Sequence, residues 1–138
     1  MNLTTMPRVG EIIDGLTVGA LMIDQQTGQP YALMVGPVRH DLEWAAANAW
    51  VTRLGAGFRL MHRHEAATLF ENSRLKPLAE SDVSDRSAPK WHWLSEQRQP
   101  TFAWMQSGHA GFQRTARKRA LGGVLAVLRA DIVPQEAT

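Results

Sequence analysis

Two apolar stretches open the chain, Leu16 to Ile23 and Tyr31 to Val35, and between them lies the polar, turn-forming run Asp24-Gln25-Gln26-Thr27-Gly28-Gln29-Pro30. That order predicts strand, loop, strand, with Ile12-Ile13 as a further short extended piece. Gly36-Pro37 is expected to end the second strand, because Pro37 has no N–H for a ladder and restricts the residue before it. The period then changes. Trp44, Ala47, Val51 and Leu54 recur at helical spacing, which predicts a helix over Leu42 to Leu54 with that stripe inward. Asp41 is its expected cap and Gly55-Ala56-Gly57 its stop. A shorter helix is expected over His64 to Asn72, where Ala66, Leu69 and Phe70 share one face.

Ser73 to Pro89 breaks both periods, with two prolines, four serines, Asp82 and Asp85, and reads as a long surface loop. Beyond it, Trp91 to Leu94, Thr101 to Gln106, Gly111 to Thr115 and Val124 to Leu128 are short, rich in aromatic or branched residues and bounded by Gly, Pro or polar clusters. They predict an antiparallel meander, with Gly122-Gly123 as the turn before its last strand. In the first of them, alternation sets Trp91 and Trp93 on one face and His92 on the other. Strands, two helices, a loop and strands again make an α+β pattern. One of the two early strands is expected to pair with the last, bringing the termini together.

At 138 residues the chain has ordinary single-domain size. Its 44% hydrophobic and 20% charged residues describe a globular chain that folds alone or as a homo-oligomer. The absence of cysteine excludes disulfides, thiolate metal ligands and a cysteine nucleophile. The start of the sequence lacks the basic and apolar regions of a secretory signal, and no apolar run is long enough for a membrane span. Synthesis in the cytoplasm is the corresponding expectation. The net charge is only +2, yet between Glu96 and Asp131 stand Arg98, Arg114, Arg117, Lys118, Arg119 and Arg129 with no acid among them. Such a segment either attracts an anionic partner or forms a solvated strand face.

The order of several short motifs resembles a known family. A helix bearing Trp44 is followed by Gly57-Phe58-Arg59-Leu60, by Arg63-His64-Glu65 opening a second helix, and by His92-Trp93-Leu94-Ser95-Glu96. Ala103-Trp104-Met105-Gln106, Gly111-Phe112-Gln113 with Lys118, and Ala126-Val127-Leu128-Arg129 complete the order. Over about residues 31 to 130 this is similar to the collagen-like-protein C-terminal domain family, common in bacteria, prophages and tailed bacteriophages. The resemblance implies a single C-type-lectin-like domain. It has two helices on a short antiparallel sheet, paired N- and C-terminal strands, and a long loop and middle strands that present a recognition surface. It also implies a phage or prophage setting: a tail-associated module that binds a host-surface molecule or docks in a virion, or a small accessory protein acting on a host macromolecule.

Candidate chemistry narrows this little. His62, His64 and Glu65 are zinc-ligand types, but their spacing does not place them on one helix face and no His-Glu-x-x-His is present, so no metal site is expected. Gln99-Pro100-Thr101 resembles the tripeptide of calcium-dependent lectins, but only Glu96 lies near it as a carboxylate. Ser95, His92 or His109, and Asp82 or Asp85 could be assembled into a triad on paper without any nucleophile elbow. No catalytic residue and no cofactor are therefore expected. Trp44, Trp93 and Trp104 read as core. The expected binding residues are Gln113, Arg114, Arg117, Lys118 and Arg119, with Trp91 as an aromatic anchor if it is exposed. The expected partner is a protein or an anionic polysaccharide. Nucleic acid is the weaker candidate, because only Phe112 interleaves the cations.

Overall fold

The two most apolar runs become neighbouring strands at the centre of one sheet. The computed structural model describes residues 1–71, 91–108 and 112–134. Its elements are β1 (Asn2–Leu3), β2 (Ile12–Ile13), β3 (Leu16–Ile23), β4 (Pro30–Leu42), α1 (Trp44–Leu54), α2 (Arg63–Glu71), β5 (Trp91–Gln99), β6 (Phe102–Ser107), β7 (Gln113–Arg117) and β8 (Gly122–Ile132). The strands lie in the order β2-β3-β4-β8-β5-β6-β7, with β1 added in parallel to β8. The architecture is mixed α+β, mostly sheet, with two helices among the described residues. The expected 73–89 loop lies outside the described residues.

β8 explains much of the packing. Along one edge it pairs antiparallel with β4, Tyr31 opposite Asp131 and Val35 opposite Val127. Its other edge is shared by three partners: His92 of β5 beside Gly123, Arg59 bonded both ways to Val127, and Asn2 of β1 beside Asp131. Of the two early strands it is thus β4, not β3, that meets the last strand, and β1 brings the start of the chain to the end of the sheet. Both faces of this centre are covered. Leu33 and Val35 join Leu125 and Val127 beneath Ala66, Leu69 and Phe70 of α2. On the opposite face Val124 and Ala126 pack with Trp93, Met105 and the α1 residues Ala47 and Val51, while Ala32, Met34, Leu128 and Ala130 form a third cluster. Two-sided burial is why these strands read as near-continuous apolar runs rather than alternating ones. Leu69 and Phe70, both nearly inaccessible, contribute roughly 1.5–3 kcal/mol each by leaving water.

Several expectations are corrected. β4 does not stop at Gly36-Pro37: the ladder slips between Val35 and Val38, and this bulge holds Pro37 where its missing donor costs nothing. Gly36 is required there by space, since a Cβ would lie 2.4 Å from Cε1 of Phe58. Asp41 does not cap α1. It has a φ of 56° near the end of β4, Leu42 still pairs with Gly122, and the cap is Glu43 without a side-chain hydrogen bond. Leu54, the last residue of the helix, is exposed. Gly122 and Gly123 are not a turn but the first residues of β8, where a Cβ on Gly122 would meet Met105 at 2.4 Å and the Trp93 indole at 2.9 Å. Finally, β5, β6 and β7 are an antiparallel meander, but β8 leaves it, crossing back to lie between β4 and β5. Inserting there buries both of its apolar faces, which the β7 edge would not.

Candidate binding site

The basic segment divides by strand alternation. β7 is the last strand of the sheet, and its side chains point alternately to the two faces. Gln113, opposite Gln106, faces α2 and is consumed there: its amide donates to the Arg63 carbonyl at 2.8 Å and to the Gln106 side chain at 3.0 Å, and its oxygen accepts from Arg63 Nε at 3.0 Å. Arg63 in turn lies 3.5 Å above the Trp104 ring. Arg114, opposite Met105, faces the α1 side, with its guanidinium 4.0 Å from the centre of the Trp91 ring. Lys118 lies 4.4 Å from the Trp44 ring and donates to the Gln97 side chain. Trp93 is fully buried as core, whereas Trp44, Trp91 and Trp104 are half-buried, each under a cation. Trp91 therefore packs against its cluster on one side and carries Arg114 on the other.

What remains is compact. Arg117, Lys118 and Arg119 line a cup of about 380 Å³ together with Pro100, Thr101 and Phe102. Arg117 is registered opposite Phe102, the Lys118 N–H donates to the Thr101 carbonyl at 2.9 Å, and the Trp44 N–H donates to the Lys118 carbonyl at 3.1 Å. The crossover is thereby fixed to both β6 and α1. Among the described residues no carboxylate lines the cup, and neither Arg117 nor Arg119 is paired with one. Of the expected binding residues, Arg117, Lys118 and Arg119 come together here, while Gln113, Arg114 and Trp91 stand apart from the cup. Arg98 and Arg129 do not line it either.

A second cleft, of about 360 Å³, is lined by Asp24, Gln25, Gln26, Tyr31, Arg59, His62, His64 and Arg129. Its foundation is Glu65, which is fully buried. Both carboxylate oxygens accept from Arg59, at 2.7 and 2.8 Å, and they also receive the Tyr31 hydroxyl at 2.7 Å and the His62 backbone N–H at 2.9 Å. The last of these is half of a capping box, Glu65 reaching back across the first turn of α2. Burial pushes the Glu65 carboxyl up, but the hydrogen bonds and charge of Arg59, with those of His62 and Tyr31, outweigh it and hold it at about 2. Burial and the neighbouring carboxylate push the Tyr31 phenol up, and burial followed by the Arg59 charge pushes His62 down. Arg129 donates to Asp24 and Asp131, both at 2.6 Å, and Asp24 is held down at about 2 by that contact and by the N–H groups of Gln26 and Thr27.

This network answers two readings of the sequence. Of the zinc-like residues, Glu65 has both carboxylate oxygens occupied by donors, and no cluster of three metal-ligating side chains is present among the described residues. Ser95 does meet a histidine, His62 Nδ1 at 2.6 Å, but its hydroxyl donates to Glu96 at 3.1 Å, which leaves Nδ1 as the donor to Ser95. Glu96 also accepts the Arg63 N–H at 3.0 Å, so the group closes the start of α2. The sequence pattern predicts neither Tyr31 nor Arg59 as a site residue, and Arg59 enters it only within the Gly57-Phe58-Arg59-Leu60 motif. The one local signal, Glu65 three residues after the cap position, indicates a helix start and points neither to Arg59, six residues before it, nor to Tyr31, 34 residues before it. The sequence matches no protein-family model, and no curated protein matches it.

Proposed function

We propose that the protein is a non-enzymatic recognition module that binds an anionic partner, an acidic polysaccharide or an acidic protein surface, through the cup at the end of β7. The observation that carries this reading is the convergence of Arg117, Lys118 and Arg119 on one concavity that no carboxylate of the described residues lines. Cations left unneutralised by their own protein keep their attraction for an external anion. A C-type-lectin-like fold is part of the proposal. It is supported by the pairing of β4 with β8 and by the β1 contact, where the Val133 N–H donates to the Leu3 carbonyl at 2.8 Å. The tail-associated setting rests on the family resemblance.

The test is titration with dextran sulfate at rising salt. Binding should weaken with salt, because exposed charges are screened over about 8 Å at physiological ionic strength. The double variant Arg117→Glu, Arg119→Glu should lose it. Equal binding by wild type and double variant would sink the proposal. Binding of duplex DNA in preference to dextran sulfate would replace the partner class.

A further inference from the structure

We infer that the cup takes an acid carried on a flat apolar ring, rather than a bare inorganic anion; this rests on the reading of the cup as an anion-binding site and names its ligand class. The cations occupy only part of the lining. The rest is Pro100, Thr101 and Phe102, which set two flat apolar side chains beside Arg117, Lys118 and Arg119. Phe102 is only half-buried, so part of its ring is available. It is also held in place, because it is registered between Gln99 of β5 and Arg117 of β7.

Chemistry then separates the classes of ligand. A bare phosphate or sulfate would meet the cations but leave the apolar wall in water. A ring that bears the acid covers that wall while its charge reaches the rim. Ring on ring, offset or edge to face, is a favourable arrangement for Phe102, and a guanidinium stacks on an aromatic face as readily as it pairs with an anion. The protein already uses that second contact: Arg114 on Trp91 and Arg63 on Trp104. The other cleft offers no such combination, because each of its guanidiniums is engaged by a carboxylate of the chain itself.

The experiment compares phenyl phosphate, cyclohexyl phosphate and inorganic phosphate on the full chain, by titration followed through backbone amide shifts. Phenyl phosphate should bind about tenfold or more tightly than inorganic phosphate, from the apolar area it covers. Its shifts should centre on Thr101, Phe102 and residues 117–119. Phe102→Leu, which keeps the strand apolar, should reduce the preference for phenyl over inorganic phosphate. Equal affinity for phenyl and inorganic phosphate, or shifts centred on Tyr31 and His62, would overturn the inference. Equal affinity for the cyclohexyl and phenyl esters would overturn the flat-ring part of it. Dextran sulfate binding that persists while phenyl phosphate shows no preference would leave the anion-binding reading standing and remove this one. Loss of both would remove both.

Discussion

The two clefts are of nearly the same size, about 360 and 380 Å³, and both are lined by arginines, but the arginines are in opposite electrical states. Around Tyr31 each guanidinium is engaged: Arg59 grips buried Glu65, and Arg129 spans Asp24 and Asp131. At the end of β7, Arg117 and Arg119 meet no carboxylate among the described residues. The first arrangement ties the β3–β4 turn, β4, α2 and β8 into one unit, so its charges serve the fold. The second takes no part in the ion pairs that hold the described fold. Cation count alone therefore says little about binding; the informative quantity is which cations the chain has already neutralised.

The largest effect that would sharpen this contrast is the removal of one partner from the paired cleft. Glu65→Ala strands the Tyr31 hydroxyl and the Arg59 guanidinium, and because Arg59 is 29% exposed the loss lies toward the lower end of the about 3–5 kcal/mol that breaking a buried pair costs. Urea unfolding should show a loss of that order, with dextran sulfate binding unchanged where the variant is folded. A loss below about 1 kcal/mol would mean that the pair is not the keystone described here.

Acid should act on the same group. Glu65 is held at about 2 in the folded chain against an ordinary value of 4.5. Because the folded value is the lower one, the unfolded chain takes up the proton first, and the stabilisation present above about 4.5 is lost as the pH falls toward 2. The linkage amounts to roughly 3 kcal/mol at about 1.4 kcal/mol per unit. Unfolding midpoints measured from pH 6 to pH 2 should fall steeply in the wild type and less steeply in Glu65→Gln. Parallel curves would disprove the assignment.

The cup should behave in the reverse way. Arg117→Glu with Arg119→Glu should lower dextran sulfate affinity by at least about tenfold while changing stability by less than about 1 kcal/mol, since exposed charges contribute little to folding. Arg114→Glu with Lys118→Glu is a sharper comparison, because those cations also cover Trp91 and Trp44. That pair should cost about 1–2 kcal/mol in addition to its effect on binding. Equal stability of the two double variants would show that the stacking contributes nothing.

The smallest effect belongs to the half-exposed partner pair. Asp24→Asn leaves Arg129 its contact with Asp131 and should lower the unfolding midpoint by less than any of the substitutions above, since an exposed ion pair contributes little. A larger loss would bring Asp24 closer to Glu65 in importance than its exposure suggests.

Much of the local structure was written in the sequence. Periodicity alone determines that 16–23 and 31–35 are extended, that Ala66, Leu69 and Phe70 face inward, that Trp91 and Trp93 share a side, and that a run of cations without acids precedes the last strand. These are properties of neighbours along the chain, set by side-chain spacing and turn chemistry. Tertiary structure decided what lies across from each of them. It let β4 run through Gly36-Pro37 as a bulge, drew β8 out of the meander to the centre, and made glycine necessary at 122 because Met105 and Trp93 approach so closely. It also sorted the arginines, giving Arg59 a buried carboxylate, Arg63 and Arg114 an indole, and Arg117 and Arg119 no acid among the described residues. The physical reason is that burial and pairing depend on which side chains the folded chain brings together, whether six residues apart as in Arg59 and Glu65 or 105 as in Asp24 and Arg129. Their energies depend on what the fold removes from water together, and no local pattern records that.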